Sequence, residues 1–230
     1  MSRSKRERFT TFPKITDEDL KDKVYMHDPT FFDIETGPVD TNELEQFIPP
    51  FEAPKNIKKP ELIEEAIAKK KSEWFDKVAL SPLTGKILAI GLLRDSKYTI
   101  LEGDEKNIIN DFWNYWRKYD PQPFVGFNIF NFDMPYILRR GYRLGIDHPR
   151  DVQSNNRYWK DNLIDLMNYW SLGVYGERIS LDNFCKFLGV KGKSGSGKFF
   201  SELYKEDHDA AIEYLKNDLD ITAKVWEKCG

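Results

Sequence analysis

Residues 126–137 read Gly-Phe-Asn-Ile-Phe-Asn-Phe-Asp-Met-Pro-Tyr-Ile, a short strand over 124–127 that gives way at Asn128 to a helix opened by Pro135. Proline is tolerated in the first turn of a helix, where its missing N–H has no partner to lose. Tyr136, Ile137 and Leu138 continue that helix, and its end is expected near 141–145, where two glycines fall. Asp133 stands just before the proline, and the helix macrodipole favours an acid there. That accounts for Asp133 but leaves Asn128 and the aromatic residues around it without a reason.

Upstream, Ile108, Ile109, Phe112, Trp113 and Trp116 recur at helical spacing over 105–119, and Pro121 and Pro123 end the run. Two β-rich runs, 86–94 and 98–102, flank the turn-like 95–97 and read as a hairpin. The first strand is expected over 30–34. Residues 37–60 carry five of the twelve prolines and read as loop; Pro60 then opens a helix with Glu61, Glu64 and Glu65 early and Lys69, Lys70 and Lys71 late, the order that suits its dipole. Downstream come a polar, basic connection over 147–161, an apolar run over 163–167, a helix over 181–188 and a final helix over about 207–228. Ser180 is placed to cap the third of these and Gly189 to succeed it. Alternating strands and helices with no internal repeat give an α/β fold with a mixed central sheet. Residues 1–27 are expected to be an N-terminal arm, and 28–230 one domain.

The chain has 230 residues, of which 40% are hydrophobic and 32% charged, enough for a substantial core. The longest apolar run, 87–93, is far shorter than the ~20 residues that span a bilayer, and the charged first residues precede no apolar stretch. No membrane association is expected. Cys185 and Cys229 are the only cysteines, so neither a disulfide framework nor a cysteine zinc site is expected, and a reducing, cytoplasmic compartment is. The 35 Lys+Arg against 38 Asp+Glu leave a net charge of -3, which by itself argues mildly against a nucleic-acid partner.

The acids are more informative than their total. Asp33 and Glu35 alternate along the first strand, so both carboxylates face the same way. Two such groups repel unless a cation lies between them, and hard divalent ions take oxygen clusters of this kind. Tyr214 and Asp218, four residues apart, share one face of the last helix. Each pair alone reads more simply as a solvated strand end or an ordinary helix face.

In order along the chain the three elements are Asp-x-Glu, Asn-x-x-x-Phe-Asp and Tyr-x-x-x-Asp. This resembles the signature of the DEDD superfamily of 3′-5′ exonucleases with an RNase H-like fold. The segment GFNIFNFDMPYI is similar to that of the proofreading exonuclease domain of family-B DNA polymerases, and the resemblance runs from about Phe31 to Trp226. The histidine branch of the superfamily needs His five residues before the last acid, where this chain has Glu213; the tyrosine branch needs Tyr four before it, which is Tyr214. About fifty residues separate Glu35 from the next strand, so an insertion is expected at about 40–78, and the resemblance does not cover it. The chain ends at Gly230, so a free-standing protein, or one working with a polymerase or repair partner, is expected.

The resemblance implies a two-metal site with Mg²⁺ or Mn²⁺. Asp33 would bridge both ions, Glu35 and Asp218 would complete the ion that binds the attacking water, and Asp133 would hold the other through water. Tyr214 would position the water, since a phenol with a reference pKa near 10 is a poor base at neutral pH. Asn128 and the main chain around Thr36 would hold the terminal nucleotide, and Phe132 would pack against its sugar or base. Phe31, Phe32 and Phe124 are expected in the core, and Asp165 is expected to be structural rather than a fifth ligand. Single-stranded DNA 3′ ends are the expected substrate; an exoribonuclease and a catalytically silent nucleic-acid-binding domain are the open alternatives.

Residues 192–198, GKSGSGK, match the glycine and lysine positions of a phosphate-binding loop. Phe199 stands where the Mg²⁺-binding Ser or Thr belongs, and the loop comes after a helix rather than a strand, so nucleoside triphosphate binding is not expected. Lysines touching a nucleic-acid backbone, or an inert loop, remain as readings. Locally, 134–160 holds six Arg+Lys against two Asp, and 186–205 five Lys against one Glu, whereas 206–220 holds six acids and one Lys. Basic margins around an acidic, metal-filled cleft are therefore expected, with weak binding of short 3′ ends that falls as salt rises.

Overall fold

The computed structural model describes residues 28–154, 158–174, 176–192 and 200–229. The arm read over 1–27 and the glycine-lysine loop beyond Gly192 lie outside the described residues.

Strand β1 (Thr30–Pro38) lies at the centre of a five-stranded sheet, with β2 (Gly85–Arg94) and β3 (Lys97–Glu102) on one side and β4 (Phe124–Gly126) and β7 (Leu163–Asp165) on the other. The β3-β2-β1 half is antiparallel and the β1-β4-β7 half parallel, so the sheet is mixed as the sequence pattern requires. A second, two-stranded ribbon, β5 (Gln153–Ser154) with β6 (Tyr158–Trp159), lies in the connection read as irregular.

Strand β1 runs four residues beyond the expected stretch because β2 continues to pair with it. The ladder reaches Pro38 opposite Gly85, with a register shift between Glu35 and Thr36. The β2-β3 turn is tighter than expected: only Asp95 and Ser96 form it, at φ 50° and 59°, as a two-residue hairpin demands.

Two layers of helices cover the sheet. One face, with Phe32, Ile34, Ile90, Leu92 and Phe124, packs against α3 (Glu105–Tyr119) and α4 (Asp133–Leu144). Its centre is aromatic: Trp116 stacks on Phe124 at 4.3 Å, and Phe32 meets Phe112 at 5.7 Å. Burying side chains of this size contributes about 1.5–3 kcal/mol each. The five apolar positions read on α3 are all buried. Arg140 of α4 fastens this layer, donating to Glu105 at 2.9 and 2.7 Å, while Glu105 Oε1 accepts the Ile87 N–H at 2.8 Å.

The opposite face, with Phe31, Ala89, Leu93 and Val125, carries α6 (Leu181–Leu188), α7 (Phe200–Glu206) and α8 (His208–Cys229). Ser180 caps α6 by accepting the Asn183 N–H, and Gly189 succeeds it in the left-handed region, as expected. Helix α7, not anticipated from sequence, is short and buries only Phe200. Between β1 and β2 the chain forms α1 (Thr41–Glu45) and α2 (Pro60–Phe75), the latter with no fully buried residue; α5 (Met167–Ser171) comes after β7. Among the described residues no helix is long and apolar enough to cross a membrane.

Strand β4 stops at Gly126, where a Cβ would lie 2.3 Å from Ile129 Cγ2 and 2.9 Å from the Phe32 carbonyl oxygen. The second contact is with backbone, and the first requires the buried Ile129 side chain to repack. Gly126→Ala is therefore expected to destabilise the protein by about 1–3 kcal/mol, read as a lowered denaturant midpoint; an unchanged midpoint would mean that the turn after β4 yields freely.

Candidate metal centre

Strand β1 presents Asp33 and Glu35 on the face covered by α8, and α8 presents Asp218 to them. Oxygens of these three carboxylates lie within 4.8 Å of one another. Asp218 is 1% exposed and Glu35 7%, while Asp33 is half-buried. The period-two reading of Asp33 and Glu35 and the helical reading of Asp218 thus meet at one point.

The close approach of α8 depends on a residue that sequence reasoning missed. Gly91 pairs with Asp33 across the β1-β2 ladder. A Cβ on Gly91 would lie 2.9 Å from Leu215 Cγ and Leu219 Cδ1, one on each side of Asp218 along α8. The signal was present in the sequence as a lone glycine inside an apolar strand, a mark of close approach.

Asp133 is the first residue of α4 and is 2% exposed. The β1-β4 ladder ends at Phe31–Val125, and beyond it the Ile34 N–H donates to Asp133 Oδ1 at 3.1 Å. The carboxylate takes the place that a continuing β4 would occupy and lies outside the group formed by the other three acids. Burial first, and then the charge of Asp33, push its pKa well above the ordinary carboxylate range.

Tyr214 lies one turn before Asp218, its hydroxyl shielded from solvent and its ring 6.4 Å from that of Phe200. Thr36 comes directly after Glu35 at the register shift and is 9% exposed. Asn128 and Phe132 are half-buried in the turn between β4 and α4; the Asn128 side-chain oxygen accepts from Asn131 Nδ2 at 3.0 Å, and the Phe132 ring lies 5.4 Å from Tyr136. Asp165 ends β7 with its oxygens turned to main-chain N–H groups.

A cluster of carboxylate oxygens, largely out of solvent and free of sulfur or imidazole donors, suits a hard divalent cation such as Mg²⁺ or Mn²⁺.

Comparison with known proteins agrees with this geometry. Residues 84–229 match the model of a family described as predicted 3′-5′ exonucleases related to the exonuclease domain of PolB. A DNA polymerase of Archaeoglobus fulgidus is 35% identical over 107 residues, which are 42% of this chain and 13% of that protein. The solved structure of the family B DNA polymerase from the hyperthermophilic archaeon Pyrobaculum calidifontis superposes with a TM-score of 0.57 over 87% of this chain, at 19% identity. The fold is thus the RNase H-like fold of that polymerase's exonuclease domain. The chain spans 24% of that polymerase's length.

Because the folded-state pKa of Asp133 is raised, its ionisation costs stability. That cost is absent below the unfolded carboxylate pKa near 4, grows as pH rises from there, and is complete above the raised folded value. Asp133→Asn keeps an acceptor for Ile34 and removes the charge. In chelator at pH 7.5 it should melt higher than wild type, by about 2–4 °C for each kcal/mol relieved, with the gap closing towards pH 4. Equal melting temperatures at both pH values would contradict this.

Proposed function

Since the chain belongs to the family of predicted 3′-5′ exonucleases related to the exonuclease domain of PolB, we propose that it hydrolyses the terminal phosphodiester bond at 3′ ends of single-stranded DNA. The observation that carries this reading is the meeting of Asp33, Glu35 and Asp218 within 4.8 Å. Two elements far apart in sequence bring three like charges to one point, an arrangement that a bound cation would offset. The relatives' being DNA polymerases favours DNA over RNA.

Asp33, Glu35 and Asp218 would hold one divalent cation, and Asp133 with Asp33 would hold a second; bound there, such ions would supply charge neutralisation at the phosphoryl group and a more acidic water. The tyrosine hydroxyl of Tyr214 orients the attacking water and leaves its deprotonation to the electrostatics of the site. Asn128 and the main chain at Thr36 hold the terminal nucleotide, and Phe132 packs on its sugar or base, so that the scissile bond is brought to the acids rather than sampled at random.

The protein should release mononucleotides from the 3′ end of a labelled single strand with Mg²⁺ or Mn²⁺ and none in chelator. Asp33→Ala and Asp133→Ala should remain folded and lose that activity. Parallel digestion of 3′-labelled and 5′-labelled single strands, duplex and RNA reads polarity and sugar preference together. Intact DNA and RNA ends in every arm would leave a nucleic-acid-binding module. Tyr214→Phe should slow hydrolysis by about a hundredfold while DNA affinity changes little; an unchanged rate would remove the water-orienting role.

A further inference from the structure

Asp165 is 2% exposed, yet it is remote in sequence from every residue given a part in the reaction. It pairs with Gly126 at the end of the β4-β7 ladder, where β4 stops and the turn carrying Asn128 begins. Its Oδ1 accepts the Asn128 N–H at 2.7 Å and the Met167 N–H at 2.9 Å, and its Oδ2 accepts the Phe130 N–H at 3.0 Å. Main-chain N–H groups converging in this way form a nest, a concavity that binds an anion. Here the anion is a side chain of the same protein.

The nest fixes the turn on its far side. Asn128 sits in the left-handed region at φ 64°, a conformation that asparagine adopts more readily than most residues other than glycine. The Asn128 carbonyl then accepts the N–H groups of Asn131 and Phe132, each at 3.1 Å, and the Ile129 carbonyl accepts that of Met134 at 3.0 Å. One residue before Met134, Asp133 reaches the Ile34 N–H of β1. Hydrogen bonds therefore tie the Asp165 carboxylate to the main chain of residues 128–130, and the carbonyls of Asn128 and Ile129 to Asn131, Phe132 and Met134, the residue beside Asp133.

We propose that Asp165 is a positioning residue for hydrolysis: its carboxylate, seated in the nest of residues 128–130, sets the turn that presents Asn128 to the 3′-terminal nucleotide and Asp133 to the metal centre. This rests on the exonuclease reading above. A neutral amide cannot replace the carboxylate, because its NH₂ would face an N–H donor. Among the described residues Asp165 lies outside the group formed by Asp33, Glu35 and Asp218, and its carboxylate oxygens accept from main-chain N–H groups.

The test is a double-mutant cycle of Asp165→Asn and Asn128→Ala on 3′-labelled single-stranded DNA with Mg²⁺, below the melting temperature of every variant. Asp165→Asn is expected to lower kcat/KM on the order of a hundredfold, the cost of a misplaced contact near 1 Å. The double variant should be no slower than Asp165→Asn alone, because the asparagine is already misplaced. A residue that only supports the fold would lower the melting temperature, leave the rate per folded molecule within about twofold, and combine multiplicatively with Asn128→Ala; either kinetic result overturns the proposal. Should Asp165→Asn not fold, Asp165→Glu, which keeps the charge and displaces both oxygens by a methylene, is read the same way. An inactive wild type overturns the exonuclease reading and this inference with it, whereas an active wild type with an equally active Asp165 variant overturns this inference alone.

Discussion

Repulsion among carboxylates at the centre of the sheet is the constraint around which the rest is arranged. Two unit charges 4.8 Å apart in an environment of effective dielectric ~20 repel by roughly 3–4 kcal/mol. Three such pairs among Asp33, Glu35 and Asp218 approach the whole ~5–15 kcal/mol by which a typical domain is stable. The trio therefore calls for compensating interactions, which a divalent cation would supply. Burial first, and then this same repulsion from Asp33, raise the pKa of Asp133.

What opposes that repulsion is packing on both sides of β1. On one face the aromatic group of Phe32, Phe112, Trp116 and Phe124 anchors the strand from below. On the other, Leu215 and Leu219 of α8 press onto Gly91 from either side of Asp218, so the helix cannot swing its acid away without opening an apolar contact. Tyr98 and Glu102 of β3 bind the same helix further out, to Asp220 and His208. The acids are close because neighbouring hydrophobic contacts leave them nowhere else to go.

Much of this was legible in the sequence, and the failures share a cause. Alternation placed Asp33 and Glu35 on one face, and four-residue spacing placed Tyr214 and Asp218 together, because both are local periodicities. The start of α4 was misread by two residues: a residue before proline disfavours the helical region, yet the helix begins at Asp133. The bond to Ile34, 99 residues away, adds to the local bonds of the first turn, and no window of sequence contains it. The same holds for Asp165, whose structural character could be guessed from its apolar surroundings, while its partners in the turn lie 35 and 37 residues upstream. Helix α7 was missed because one buried phenylalanine in seven residues leaves no periodicity to read.

The charge distribution changes meaning once the side chains are placed. The basic excess over residues 134–160 suggests a margin for a phosphate backbone, but Arg140 is 2% exposed and committed to Glu105 and Glu43, Arg143 pairs with Glu43 at 2.7 Å, and Lys160 bridges Asp120 and Asp151. In the second basic stretch Lys186 meets Asp182 at 2.6 Å. Cations already engaged by carboxylates release few counterions on meeting a polyanion, so these four would add little to the general electrostatic part of an affinity for DNA. In the proposed exonuclease, recognition would then rest more on the strand end itself, on the turn around Asn128 and on the acids that would hold cations, and a chain of net charge -3 would act on a polyanion without first coating it.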